Sequence, residues 1–335
     1  MKLMWLLFGL LLSINGKAQS IVTTFEKPFS GITTVEIEGS YCNVEVNEIS
    51  TSEVRLKGEI RSSNHYYLNI HHSVNGSTLK VWVDKPKSNP GDTKGTLVFM
   101  VPRRTKVNVN NTNGHVLVQS LSGNKHSINT TLGKVTIRNC TSSFWVKTIS
   151  GSVNASGLKG NLDLTSRLGD HVFKSVTGLV NVKSGNGSLS ANGINGNLTT
   201  TTTSANQRIN NVNGRVDCEA KDGDIALNGI TGNVNAKTVA GDIKIDQVTG
   251  ALTITSVTGH QTGKGIRLTG HSTFNSSSGN VYLQLSNPKE KLSFYLSSTS
   301  GHLKAKGREG RRNLVMDNNG IKVTGKTGAG SQNYY

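Results

Sequence analysis

Acidic residues, aromatics and long apolar stretches are all scarce in this sequence. Twenty Asp and Glu stand against 37 Lys and Arg, a formal net charge of +17. That balance argues against a protein loaded with calcium and favours anionic partners such as acidic glycans or cell-envelope polymers. Aromatics make up 5% of 335 residues, few for the stacking platforms that bind single-stranded nucleic acid. After residue 12 no apolar run approaches the ~20 residues that span a bilayer, so no transmembrane helix is expected. No phosphate loop, Ser-His-Asp spacing or zinc signature is present, and no cofactor is implied. Hydrophobic residues are only 34%, which leaves either disorder or a thin core with a turn every few residues. Periodicity decides between these two.

The chain opens on Lys2, an apolar run from Leu3 to Leu12, and a small-x-small end at Gly16 and Ala18. This is the layout of a secretory signal, with cleavage expected after Ala18 and no nearby Cys for a lipid anchor. Export to the periplasm, outer surface or medium follows, and the charge of the remaining chain is +15 once Lys2 and Lys17 are gone.

Glycine then sets a beat. It recurs at 151, 160, 169, 178, 187 and 196, and again at 214, 223, 232, 241, 250 and 259, with Ala205 at the one skipped position. Alternating segments such as Gly178-Leu-Val-Asn-Val and Gly241-Asp-Ile-Lys-Ile follow, each read as a short strand and a turn. The period is eighteen rather than nine. Seven residues after every second glycine stand Leu158, Val176, Ile194, Val212, Ile230 and Val248, whereas the intervening half-repeats carry no such rule. The corners differ too: Gly157, Gly193, Asn211 and Gly229 suit a left-handed backbone in one, Ser166, Ser184, Thr202, Thr238 and Ser256 mark the other. Two strands and two unlike corners per coil predict an all-β parallel β-helix or β-solenoid with about 18 residues per coil. Its inward columns would be pairs such as Val153/Ala155, Leu162/Leu164, Val180/Val182, Ile225/Leu227, Ile243/Ile245 and Leu252/Ile254.

The domain layout is then a signal at 1–18, an N-terminal β-rich cap or wider opening coils at 19–110, solenoid repeats at 111–325, and a loose tail at 326–335. Cys140 falls in the aliphatic column and Cys218 in an inward strand position, 78 residues apart. More than four coils separate them, too far for a disulfide, so both read as buried thiols; Cys42 is undecided. His65, His71 and His72 cluster, but a metal would need three or four converging ligands, so surface histidines are the reading.

Glycan-cleaving enzymes also use β-helices. They need paired or clustered carboxylates, and the candidates are Asp222, Asp224 and Asp242 with Asp163 and Asp170. Asp224 and Asp242 stack one coil apart and could hold a cation, yet the same position elsewhere is Asn161, Asn197, Asn233, Ser152 or Arg215, as in an ordinary polar corner. The doubled glycine and regular Asp of calcium-binding nonapeptides are absent. The basic residues are concentrated late: 287–326 hold nine Lys/Arg against three acids, while 21–60 hold seven Glu against three bases. Lys304, Lys306, Arg308, Arg311 and Arg312 are therefore the candidate ligand-binding face, with no catalytic and no metal residues assigned.

The sequence resembles the putative adhesin (DUF4097-type) family of exported bacterial β-solenoids. The resemblance rests on Phe29-Ser-Gly-Ile-Thr-Thr-Val-Glu-Ile-Glu-Gly near the start and on Val98-Phe-Met-Val-Pro102 followed by Lys106-Val-Asn-Val-Asn. In the body it rests on Thr238-Val-Ala-Gly241-Asp-Ile with Val248-Thr-Gly250 and Val257-Thr-Gly259. It spans about residues 25–325 and departs in the irregular coils after Gly259 and the basic C-terminal third. The Lys17-Ala18-Gln19 end is similar to exported proteins of Bacteroidetes-type bacteria. The resemblance implies a non-catalytic cell-surface protein with adhesin-like binding, and brings no catalytic residues. The alternatives are an envelope scaffold or signalling partner without its own ligand, and a polysaccharide-degrading β-helix enzyme.

Overall fold

The computed structural model describes residues 20–62, 68–84 and 93–335; the expected signal at 1–18 and His65 lie outside them. The body is a parallel β-solenoid of about 10 turns with about 18 residues per turn. Each coil feeds two ladders. In one, Leu162 pairs with Val180, Val180 with Leu198, and Leu198 with Val216. In the other, Val153 pairs with His171, His171 with Leu189, and Leu189 with Gln207. A register advance of eighteen puts like residues on top of one another, so the alternation seen in sequence becomes columns. Leu158, Val176, Ile194, Val212, Ile230 and Val248 are all buried, as are the predicted inward pairs and Cys140 in the same column. No single coil could hide these side chains, so the core is made by stacking.

The two corners need special residues for different reasons. At one, Ser120, Asn139, Gly157, Ser175, Gly193, Asn211, Gly229, Gln247 and Gly265 all take φ between 51° and 72°, a left-handed conformation that costs a side-chain-bearing residue about 1–2 kcal/mol. At the other, coils approach closely. A Cβ on Gly241, whose φ is +146°, would lie 2.2 Å from the Gly223 carbonyl oxygen. Ala205 escapes because the chain there does not take positive φ and runs through within the single strand Leu198–Asn213. The hydroxyl residues of this second corner point inward: Ser166, Ser184, Thr202, Thr238 and Ser256 are buried. They tie down corner carbonyls, as where Ser256 Oγ donates to Gly259 O at 2.9 Å and Thr238 Oγ1 to Gly223 O at 3.3 Å. Buried Gln207, Gln261 and Gln332 reach the same column, donating to Thr202, Ser256 and Thr327 hydroxyls at 2.8–3.1 Å. Every such bond satisfies a polar group that the core would otherwise strand.

Both ends depart from sequential stacking in the same way. Thr34–Gly39 lies between Thr78–Val83 and Lys106–Asn113, and Cys42–Glu48 lies between Lys94–Val101 and Val116–Gln119. At the other end Ile321–Thr327 inserts between Ser272–Ser276 and Leu292–Ser298, and Gln332–Tyr334 between Val281–Leu285 and Leu303–Ala305. Antiparallel strands then cover the outermost coils: Ile70–Asn75 and Ser20–Ser30 on one end, Asn313–Met316 and Arg308–Gly310 on the other. Such reversal protects edges that would otherwise template further pairing. The expectation of a loose tail at 326–335 is corrected here. Tyr334 is fully buried against Phe274 and Phe294, and Gln332 is buried beside it, because the tail is the innermost strand of the terminal coil.

Candidate ligand-binding groove

The five basic residues singled out in sequence gather on one hairpin and the turn that follows it, but they do not act alike. Leu303–Ala305 and Arg308–Gly310 pair antiparallel, with Lys306 in a left-handed turn between them. Lys304 meets the Glu309 carboxylate at 2.9 Å, and that contact holds the Glu309 carboxyl below its usual range. Lys306 Nζ donates to the Leu285 carbonyl at 2.7 Å, and partial burial lowers its pKa. Both are thus engaged by the terminal cap. Arg308, Arg311 and Arg312 remain exposed, and Arg311 and Arg312 edge a shallow depression of about 350 Å³ with Thr299, Ser300, Gly301 and His302.

The stacked corner acids have a structural task. Asn206 Oδ1 accepts the Asp224 N–H, Asp224 Oδ1 that of Asp242, and Asp242 Oδ1 that of His260, at 2.8–2.9 Å. The ladder continues through His260 Nδ1 to Asn280 and through Asn280 Oδ1 to Ser331. At the opposite corner Asn161, Asn197 and Asn233 do the same for Leu179, Arg215 and Ala251. Asp and Asn alternate freely here because either oxygen accepts the amide that each corner exposes. The three cysteines are buried and unpaired, Cys42 included. His71 Nε2 donates to the Asp84 carboxylate at 2.8 Å, while His72 lies against Phe25 and Phe29.

A larger concavity, of about 830 Å³, lies elsewhere, on the outer wall near the N-terminal end. Its floor is one register column: Trp82 on Thr78–Val83, Glu38 on Thr34–Gly39, Asn110, Asn129 and Lys147 on successive strands. Alternation aims them outward, since Val81, Val83, Val109 and Val146 between them are buried. Trp82 closes one end. The His71 ring stacks on it at 5.4 Å and 19°, from the strand lying on the side away from Glu38. Asp84 holds that histidine in place, and Lys80, on the strand of Trp82, pairs at 2.9 Å with Glu38 on the adjacent parallel strand. Trp145 stands at the other end, 39% exposed although Phe144 and Val146 on either side are buried. It also walls two smaller depressions of about 440 and 370 Å³. Between the tryptophans Asn129 Nδ2 donates to Asn110 Oδ1 at 2.8 Å, and Asn129 Oδ1, itself shielded, has no partner.

Sequence reasoning overlooked this groove, although its signal was present. In Leu79-Lys-Val-Trp-Val and Phe144-Trp-Val, alternation puts each tryptophan on the solvent side. What sequence did not reveal is that the two stand on one wall, because Thr34–Gly39 is threaded between distant segments.

No helix among the described residues is long and apolar enough to cross a membrane. No curated protein matches the chain. Three solved structures are similar over 93% of it: a putative cell adhesion protein from Clostridium sporogenes (10% identity, 99% of that chain, TM-score 0.21), a putative adhesin from Bacteroides fragilis (14%, 97%, 0.30) and one from Parabacteroides merdae (12%, 95%, 0.30). The Toastrack DUF4097 family matches at residues 32–229 and 196–331, and the chain belongs to that family.

Proposed function

We propose that this protein is an exported, non-catalytic binding module of the cell envelope or surface, adhesin-like in holding a glycan or anionic envelope polymer against its rod. The observation that carries the reading is the outer-wall groove, where a solvent-facing tryptophan at 39% exposure borders three concavities. Solvent-facing tryptophan lining a concavity beside polar amides is the usual make-up of a recognition surface rather than of a merely soluble wall. Arg308, Arg311 and Arg312, with Lys304 and Lys306 on the same hairpin and its flank, would supply a second, electrostatic contact for an acidic polymer. Charge of this kind raises local ligand concentration and fades with salt.

The test is a glycan-array screen of the purified protein at low and high salt, with Trp145→Ala and with the five basic residues changed to Ala. Binding that either variant loses supports the reading and divides the wall from the hairpin. A protein that holds no glycan or envelope polymer at any salt overturns it.

A further inference from the structure

We infer that the groove between Trp82 and Trp145 takes an uncharged oligosaccharide lying along the solenoid axis. This deepens the proposed function and rests on it. Four strand steps separate the two tryptophans in register, from Thr78–Val83 through Thr34–Gly39, Lys106–Asn113 and Ser122–Leu132 to Thr141–Ser150. At ~4.8 Å per step the distance along the axis is about 19 Å. That suits a chain of several sugars and exceeds a single one.

The chemistry of the wall matches a pyranose chain. A sugar ring presents an apolar C–H face and a rim of hydroxyls. Tryptophan offers the complementary flat face, with its negative quadrupole toward the C–H bonds. Trp82 is held ready for this role, because His71 backs the ring and is itself fixed by Asp84. Its orientation therefore costs little entropy on binding. Between the rings the floor runs from Glu38, paired with Lys80, through the amides of Asn110 and Asn129 to Lys147. Asn110, exposed on that floor, can donate through Nδ2 and accept at the second lone pair of its Oδ1.

Electrostatics argue against an anion here. Glu38 is neutralised by Lys80 at 2.9 Å, and the charges left at the groove are the Asp84 carboxylate near one end and Lys147 near the other. A phosphate-bearing or uronic chain would meet lysines only at the Trp145 end, where Lys147 lines the groove and Lys106 and Lys125 lie in the adjoining depression, and a carboxylate at the other, whereas a single nucleic-acid strand needs positive charge along its length. A peptide adding as a strand is also excluded, since every strand at the groove floor already has neighbours on both sides.

The test titrates the full-length protein with two uncharged hexasaccharides, cellohexaose and maltohexaose, and with an oligogalacturonate of similar length. Calorimetry and tryptophan fluorescence are the readouts, each taken at about 50 and about 500 mM salt. An uncharged probe should bind with affinity that salt leaves unchanged. Trp145→Ala and Trp82→Ala should each weaken it about tenfold or more, while Arg308, Arg311 and Arg312 changed together to Ala should not. Trp145 is exposed, so its variant keeps the fold even where Trp82→Ala disturbs the hairpin; Trp82→Phe, which retains stacking, should recover most of the affinity. Binding of the oligogalacturonate alone, salt-sensitive and lost with the arginines, would overturn this inference and leave the proposed function standing. Absence of binding by all three probes, together with a blank glycan array, would overturn both.

Discussion

Gly193→Ala and Gly214→Ala are the same change at two positions of one corner in neighbouring coils, and the structure assigns them different costs. At Gly193 φ is +72° and the nearest atom to an added Cβ is 3.6 Å away, so there is room and only the backbone conformation is at issue. Left-handed alanine costs about 1–2 kcal/mol, partly offset by a stiffer unfolded chain, for a net of about 1 kcal/mol. At Gly214 φ is +150° and the new Cβ would lie 2.3 Å from the Gly196 carbonyl oxygen. Real Cβ contacts stay beyond 3.0 Å, so the coils must separate locally by 0.7 Å. The bond from Gly196 N–H to Asn213 O at 3.0 Å, which joins the same two coils, cannot stretch that far and survive as a hydrogen bond. Losing it costs about 1 kcal/mol, and the glycine-only conformation adds about 1–3 kcal/mol, for a total of roughly 2–4 kcal/mol. Denaturant titration of both variants, with amide hydrogen exchange across Leu198–Asp222, measures the difference and locates it. The exchange readout matters because stacked repeats can open locally. If Gly214→Ala destabilises no more than Gly193→Ala, close coil contact is not the reason for the glycine beat, and the reasoning fails.

Three further outcomes follow from the interior. Burial lowers the pKa of His126 and His171 from 6.5 to about 4, so each is neutral in the fold and accepts a backbone N–H at Nδ1 from Val107 or Val153. The unfolded chain binds the proton first; stability is therefore full above about pH 6.5 and falls by up to about 3 kcal/mol per histidine as pH drops to about 4. His171→Gln should flatten that slope in acid titrations of unfolding, and an unchanged slope would remove His171 from the account. Burial pushes the Cys42 thiol up to about 12 and Cys140 to about 11, and raises Cys218 as well. A thiol reagent at pH 8 should then label all three only after denaturation, and rapid native labelling of any would contradict its burial. Truncation after Gly330 should destabilise the last coils and expose Phe274 and Phe294, read as a lower Tm and dye binding, whereas an unchanged Tm would restore the view of the tail as dispensable.

The solenoid itself was legible in the order of residues. An eighteen-residue repeat with one invariant aliphatic position leaves a chain no way to bury Leu158, Val176 and Ile194 except by stacking coils in register, so local pattern and global fold coincide. The same pattern told which side of each strand is wet, and with it the outward aim of Trp82 and Trp145. Three things were decided only in three dimensions. Corner glycines look like turn residues in sequence, but Gly250 and Gly259 lack the left-handed φ and are held to glycine by carbonyl oxygens one coil away, which an added Cβ would meet at 2.0 and 1.9 Å. The corner acids look like a cation ladder, but they are acceptors for amides eighteen residues ahead, a partner that register alone supplies. Finally, the threading of Thr34–Gly39 and Gln332–Tyr334 into the interior of each end has no periodic trace. It depends on which open ladder edge a late segment meets once the coils exist. That choice brings Trp82 onto the wall of Trp145 and turns an apparent tail into core, because backbone pairing between distant segments is a property of the assembled sheet and not of any stretch of chain.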